Sequence, residues 1–449
     1  MSNPRGEFQS RLGFILAAAG SAVGLGNIWG FPTQAASNGG AAFLITYLVL
    51  AFVLAYPALM AELLIGRHTH QNMVTALESL PESGPLRSLG RFTGIGGLVT
   101  ASLILSFYAI VAGWMLGFAA SYPLKAMGVT HTAEWLITFD LPRNALLMLV
   151  FLGLTIAVVL GGVEDGIERW SRRLMPLLIA TLIALSAYVL TLEGALAGLK
   201  AYLLPDFSKL LSRGLLIDAL GSAFFSLSLG VGTMLIYGSY LSDKVNIPRV
   251  GAQVALVDIG IAVLAGFLIL PAMYVADARG VAIFNSSGGL LSEDTLIFTV
   301  LPALFETMGS MGMTLATAFF VLMSIAALTS SISMLEVPVA YLIERHGLTR
   351  HRATFLTGAC IAAFSSLIVL NFGSLFGWVI IISTRYGQPL LGILICIFAG
   401  WVWRRDVLLA ELKKNNPDAA SGLFWRIWPF YVKWLCPVII GVIVFQSIV

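Results

Sequence analysis

From Leu12 to Ala61 the chain carries no Asp, Glu, Lys or Arg. One membrane helix needs about 20 apolar residues, so this run holds two. Similar charge-poor runs, divided by polar stretches and turn signals, predict further helices down the chain. The pattern gives eleven spans, at about 11–36, 41–66, 91–124, 143–161, 167–191, 213–240, 249–276, 312–344, 350–370, 374–403 and 427–448. A polar connection covers 67–90, a mixed segment 192–212, and a polar stretch 277–311 with a short surface helix expected near 293–308. The prediction is an all-α, polytopic membrane protein built as a single transmembrane domain over residues 1–449.

Two of these helices contain breaks. The first holds Gly20-Ser21-Ala22-Val23-Gly24-Leu25-Gly26-Asn27-Ile28-Trp29-Gly30-Phe31-Pro32, and the sixth holds Phe225-Ser226-Leu227-Ser228-Leu229-Gly230-Val231-Gly232. In lipid every backbone N–H and C=O needs a partner, so broken helix is tolerated only where protein or a watery cavity surrounds it. The freed carbonyls can hold a cation, and the helix N-terminus beyond a break can hold an anion. Gly20-xxx-Gly24 and Gly26-xxx-Gly30 also fit close helix packing. The second break, five spans after the first, favours binding. Two five-helix halves have odd numbers of crossings and therefore opposite orientation. The expectation is a 5+5 inverted repeat, 11–191 and 213–403, with an extra helix at 427–448 and a site between the broken helices.

Composition agrees: 449 residues, 58% hydrophobic and only 11% charged, with mean hydropathy +0.91. That excludes an ordinary soluble domain. A net charge of +3 gives no reason to invoke nucleic acid. The placement of charge says more. Of the 26 Lys and Arg, eighteen fall on the N-terminal side of the predicted topology and six on the other, with Arg385 and Lys433 inside spans. By the positive-inside rule the N-terminus is cytoplasmic and the C-terminus outside, in a multi-pass protein of the plasma (inner) membrane whose surroundings are the lipid bilayer. The first apolar run is too long for a cleavable signal. Cys360, Cys396 and Cys436 all lie in apolar runs, which speaks against a disulfide framework. Asn285-Ser-Ser fits a glycosylation triplet, a pattern common by chance.

Ionisable groups inside spans are costly and point to function. Glu62, Asp258, Glu336 and Arg385 qualify. Glu62 and Glu336 read as structural. Asp258 reads as a cation ligand, since a carboxylate supplies charge and hard oxygens. Arg385 either snorkels or closes a gate. In the eighth span, Thr329-Ser330 either back-bonds to its own helix or completes an oxygen cage. No nucleophile triad, metal cluster or phosphate loop appears, and Gly94-Ile-Gly-Gly follows no strand, so an enzyme is not expected.

Taken together, these pieces resemble the neurotransmitter:sodium symporter family over nearly the whole chain. The likeness rests on Gly24-Leu25-Gly26-Asn27-Ile28-Trp29 with Phe31-Pro32, Asn38-Gly39-Gly40-Ala41-Ala42-Phe43, Pro57…Glu62…Gly66-Arg67, Gly166-Ile167-Glu168-Arg169, Phe225-Ser226-Leu227-Ser228-Leu229-Gly230 and Leu328-Thr329-Ser330-Ser331. The resemblance implies a bacterial-type symporter of the leucine-transporter fold, importing an amino acid with sodium by alternating access. One Na+ site would use the Ala22 carbonyl, Asn27, Ser226, Asp258 and the substrate carboxylate. A second would use carbonyls of Gly20, Val23 and Ala326 with the hydroxyls of Thr329 and Ser330. Gly24 stands where the family's monoamine carriers have an aspartate, leaving room for a substrate that brings its own carboxylate. Amides around Gly24, Leu25 and Gly26, with Ala22 and the Tyr108 hydroxyl, would hold that carboxylate. Carbonyls near Ser226 in the sixth break would hold the amine. Ser21, Ile104, Phe225, Ser228, Val231, Ser330 and Met334 would line the side chain, favouring a hydrophobic or aromatic L-amino acid.

Asp258 falls where many relatives have asparagine, and its fixed charge implies independence of chloride. Arg5 and Glu344 match the family's inner gate, with Phe8 and Tyr240 nearby and Glu62 at the end of the second span. Gly166 and Pro176 resemble an element that unwinds the fifth helix for sodium release. The outer gate departs: Gly30 and Leu375 stand where the family has an ion pair, leaving Phe224 or Phe225 with Tyr108 as the lid. A channel and a substrate sensor with transport lost are the competing readings. Oligomeric state is not legible.

Overall fold

The computed structural model describes residues 6–448 apart from 83, 210–211, 286–289 and 293–294. Arg5 and most of the Asn285 triplet lie outside the described residues. Among the described residues the chain is helical, with only two isolated β-bridges. Among the described residues nine helices are long and apolar enough to cross a membrane, and a bent pair, Arg11–Ala22 with Gly26–Ser37, makes a tenth span. The eleventh is the interrupted sixth helix, Arg213–Ser226 and Thr233–Ser239.

The remaining spans are Ala41–Thr69, Pro85–Ala126, Leu141–Leu160, Gly162–Val189, Ile247–Ala278, Gly309–His346, Arg350–Leu370, Phe372–Val402 and Leu423–Gln446. Several outrun the apolar runs. The third begins at Pro85, whose ring suits a first helical position, and carries Arg87 and Arg91 on its first turns. Between spans lie short helices at Met73–Ser79, Ala195–Leu203 and Arg405–Lys413. The helix expected on the surface near 293–308 exists as Leu296–Glu306, but it is not a surface element. Leu296, Ile297, Phe298, Val300, Leu301, Leu304 and Phe305 are buried, and Phe298 packs edge-on against Trp29 and Trp114. Its apolar face packs into the bundle, where Phe298 also meets Phe118 and Phe320.

Both breaks are real. The first span bends by 61° across Val23–Leu25. In the sixth, residues 227–232 leave the helix, with Ser228, Gly230 and Gly232 in the left-handed region at φ 50°, 82° and 81°. Glycine takes that conformation at no steric cost, whereas Ser228 is held there by donating its hydroxyl to the Ser21 carbonyl at 3.0 Å. Glu62 serves the same break from the second span. Its carboxylate accepts the Gly230 amide at 2.7 Å and the Leu235 amide at 3.3 Å.

At the end of the second span, Arg67 donates to the Glu411 carboxylate at 2.6 Å, tying that span to Arg405–Lys413. Burial alone would raise the Glu411 pKa, but His68, Arg67 and Lys414 outweigh it and hold it down at about 2.

Two predictions follow from these contacts. Glu62→Leu leaves two buried amides unpaired, a cost of about 1–3 kcal/mol each, so the melting temperature in detergent falls. Glu62→Gln, which keeps one acceptor, falls less; equal melting of all three proteins refutes the role. The depressed Glu411 pKa contributes stability above the unfolded value of about 4.3, lost as pH drops toward 2. Acid therefore destabilises the wild type more than Glu411→Gln, read as the difference in melting temperature between pH 6 and pH 3.

Candidate functional site: a pocket between the two breaks

The broken segments of spans one and six face each other at the centre of the bundle. Between them, Ala22, Gly24, Leu25, Gly26, Asn27, Ile104, Tyr108, Phe225, Ser228, Val231, Ser330 and Met334 enclose a pocket, joined by Gln388 from span ten. The side chains come from spans one, three, six, eight and ten. The enclosed space is about 20 Å³, which is room for about one water molecule. The walls touch closely. A Cβ on Gly24 would lie 2.8 Å from both the Ser330 and Tyr108 hydroxyls, and one on Gly26 would lie 2.6 Å from the Phe225 ring. A molecule larger than water enters only if the walls, Phe225 and Tyr108 among them, move apart.

Two expected residues stand off the pocket wall. Ser21 turns its hydroxyl to Ser333 at 2.6 Å and offers its carbonyl to Ser228. Ser226 lies with Asn27 and Asp258. Of the two phenylalanines considered for the lid, Phe225 covers the pocket, while Phe224 faces away toward Gly392. Gln388 was not among the expected residues. An amide at membrane depth was the signal, and its position 164 residues from Phe224 hid the contact its Nε2 makes with that carbonyl at 3.5 Å.

At the break itself, the Leu25 amide donates to the Tyr108 hydroxyl at 3.2 Å, and the Gly24 amide to Asn27 Oδ1 at 3.2 Å. Asn27 Nδ2 donates to Ser226 Oγ and to Asp258 Oδ1, each at 2.7 Å. Ser226 donates to Asp258 Oδ2 at 2.6 Å and lies 3.4 Å from the Tyr47 hydroxyl. Asp258 is fully buried. Among the described residues its side-chain hydrogen bonds come from Asn27 and Ser226, which are neutral, and no salt bridge reaches it. A buried carboxylate without a counter-charge is costly, and a small cation would offset that cost with its own charge.

The second group of oxygens also converges. Ser330 donates to the carbonyls of Val23 at 3.1 Å and Gly20 at 3.3 Å. Thr329 bonds the Ala326 carbonyl at 3.0 Å, and a Cβ on Gly20 would lie 3.1 Å from Thr329. Among the described residues no cluster of His, Cys, Asp or Glu suits a metal ion. The oxygens gathered here belong to carbonyls, hydroxyls and one carboxylate, which are hard donors suited to a hard cation.

Above the pocket, a vestibule of about 720 Å³ is lined by Leu25, Trp29, Phe107, Tyr108, Trp114, Phe225, Phe376 and Arg385, among others. It reaches the second half of span one and the first half of span six, the side away from the N-terminus. The N-terminal side is closed. The Phe8 amide donates to the Tyr240 carbonyl at 3.1 Å, and its ring meets Tyr237 edge-on. Tyr240 donates to Glu336 at 2.6 Å, and Glu336 also pairs with Arg350. Glu344 accepts the Asn72 amide at 2.7 Å. Glu168 accepts the Gln9 amide and the Ser10 hydroxyl, each at 2.7 Å. Gly166 lies in a wide turn at Gly162–Glu168, and helix continues through Pro176, so the fifth span is wound here.

Comparison with known proteins agrees with this geometry. The profile of the sodium:neurotransmitter symporter family matches residues 5–135 and 139–449. An uncharacterized sodium-dependent transporter of Bacillus subtilis, YhdH, is 34% identical over 99% of this chain and 97% of its own. One from Haemophilus influenzae is 31% identical over 99% and 98%. The sodium- and chloride-dependent taurine transporter of Bos taurus is 28% identical over 80% of this chain and 64% of its own. Among solved structures, MhsT in complex with L-phenylalanine superposes with a TM-score of 0.84 at 35% identity, covering 99% of each chain. The chain belongs to the sodium:neurotransmitter symporter family.

Proposed function

We propose that this protein carries a hydrophobic or aromatic L-amino acid inward with two sodium ions, without chloride, by alternating access. The observation that carries the reading is Asp258, a buried carboxylate with neutral partners beside a broken helix. A sodium ion among Ala22, Asn27, Ser226 and Asp258 would supply the missing counter-charge. A second, among Gly20, Val23, Ala326, Thr329 and Ser330, would join spans one and eight. The carboxylate of the substrate would displace Tyr108 from the Leu25 amide and complete the first cage. Sodium and substrate then stabilise each other, which is the coupling.

Specificity follows from the lining. Ile104, Val231, Met334 and Phe225 offer apolar contact, and burying an apolar side chain contributes about 1.5–3 kcal/mol. The relative MhsT was solved with L-phenylalanine, which fits the same preference. The Asp258 charge beside Ser226 and Tyr47 repels a chloride ion there, whatever the mammalian taurine carriers require. With the N-terminus cytoplasmic, as the distribution of Lys and Arg supports, the vestibule faces outward and the Phe8 side inward.

Labelled L-phenylalanine should bind the purified protein in sodium and not in potassium. Asp258→Ala should weaken that binding at least about tenfold, as expected for loss of a charged contact. Binding that ignores sodium, or survives the substitution, contradicts the assignment. Replacing chloride by gluconate should leave binding and uptake unchanged; a several-fold fall contradicts the chloride claim. Gly26→Ala, whose Cβ meets Phe225, should lower affinity for phenylalanine more than for alanine, measured by competition.

A further inference from the structure

The geometry points to a binding site for the headgroup of an anionic phospholipid, built around Lys433 where span ten ends and span eleven begins. The site is independent of transport and takes from the reading above only the orientation of the chain. Lys433 lies inside the last span, and a charge there persists only with a partner or with access to water or headgroups. Its ammonium sits 4.2 Å from the centre of the Trp401 ring and 5.9 Å from that of Trp434. The two rings meet edge-on at 4.5 Å. Ring faces attract a cation but do not neutralise it. Among the described residues no carboxylate and no hydrogen-bond acceptor reaches the ammonium, which leaves its donors unused.

The cage is held by the backbone. Phe398–Val402 and Tyr431–Leu435 are both wide i→i+5 turns, and they pack against each other. Such turns are rare and often mark functional positions in helices. The Trp401 indole donates to the Lys433 carbonyl at 2.9 Å. Gly400 permits the approach, since a Cβ there would lie 2.7 Å from the Lys433 Cα. Trp401 is the last residue but one of span ten, which ends on the N-terminal side. The cage therefore sits at the cytoplasmic headgroup level, where Trp is enriched. A second cation stands at the same junction: Arg405 lies over Trp425 at 5.0 Å, and among the described residues it makes no salt bridge. From the cage toward the bilayer centre, Trp434, Val438, Val442 and Phe445 form one exposed stripe along span eleven. A cation at headgroup level above an apolar track matches the two ends of a phospholipid, and anionic headgroups supply the missing counter-charge. A second copy of the chain does not, because residues 423–446 contain no Asp or Glu, so a two-fold contact through this face offers Lys433 no acid.

The test uses the full-length protein in detergent and reads bound lipid and oligomeric state together by native mass spectrometry. Dioleoyl phosphatidylglycerol is compared with dioleoyl phosphatidylcholine, which has the same chains and no net charge, and with sn-glycerol 3-phosphate as the soluble phosphate. The parent should retain phosphatidylglycerol in preference to phosphatidylcholine. Lys433→Gln should raise the half-saturating concentration of phosphatidylglycerol about fivefold, as expected for one basic residue at an anionic surface. Lys433→Arg should keep the parent value, and so should Lys413→Gln, which removes an exposed cation outside the cage. Equal retention of the two lipids, or a Lys433→Gln protein that matches the parent, overturns the inference. A loss of the same size in Lys433→Arg overturns it because charge is then not what binds, and one in Lys413→Gln because general surface charge then suffices. Displacement of the lipid by sn-glycerol 3-phosphate at comparable concentration, or a dimer that depends on Lys433, overturns it in favour of a free phosphate or a second copy as the occupant. None of these readouts requires sodium or an amino acid, so failure here leaves the transport reading standing, and the reverse.

Discussion

A helix broken inside a membrane leaves amides and carbonyls that water cannot reach, and each must find a partner in the protein. Much of this structure answers that demand. Glu62 takes the Gly230 and Leu235 amides. Asn27 and Tyr108 take those of Gly24 and Leu25. Ser228 and Ser330 serve the carbonyls of Ser21, Gly20 and Val23. The partners arrive from spans two, three, six and eight and, for Asn27, from span one itself, so satisfying the breaks also draws the bundle together around them.

The same groups give the site its chemistry. A hydroxyl that bonds a carbonyl can turn its oxygen to a cation, and an amide that donates to Tyr108 can donate to a carboxylate. Sodium and an amino acid would replace contacts the empty-handed protein makes with itself, which keeps the cost of ligand-free folding low. Asp258 is the exception, since among the described residues its hydrogen bonds come from neutral groups and no salt bridge reaches it. That imbalance is what a bound cation would offset. The contacts at Phe8, Tyr240, Glu336 and Glu168 hold the N-terminal side together, and the vestibule lies on the opposite side of the pocket.

The broken helices were legible because glycine clusters and an asparagine inside a charge-free run have few physical explanations. Most pocket residues followed from the motifs that carry the family likeness. Gln388 did not, because one amide in span ten acquires meaning only when packing brings it to Phe224 and the pocket. The helix Leu296–Glu306 was visible, but its burial was not, because an apolar face looks the same against lipid or against Trp29 and Trp114. Local sequence reports backbone demands well and distant side-chain meetings poorly.

The central claim is that the sodium gradient drives amino-acid accumulation through the site between the breaks. The most direct measurement is uptake of labelled L-phenylalanine into proteoliposomes at clamped membrane potential, with an inward sodium gradient or with equal sodium on both sides. The account predicts a transient overshoot above the equilibrium level with the gradient and simple equilibration without it. Uptake that never exceeds equilibrium, or that overshoots in potassium, would contradict it.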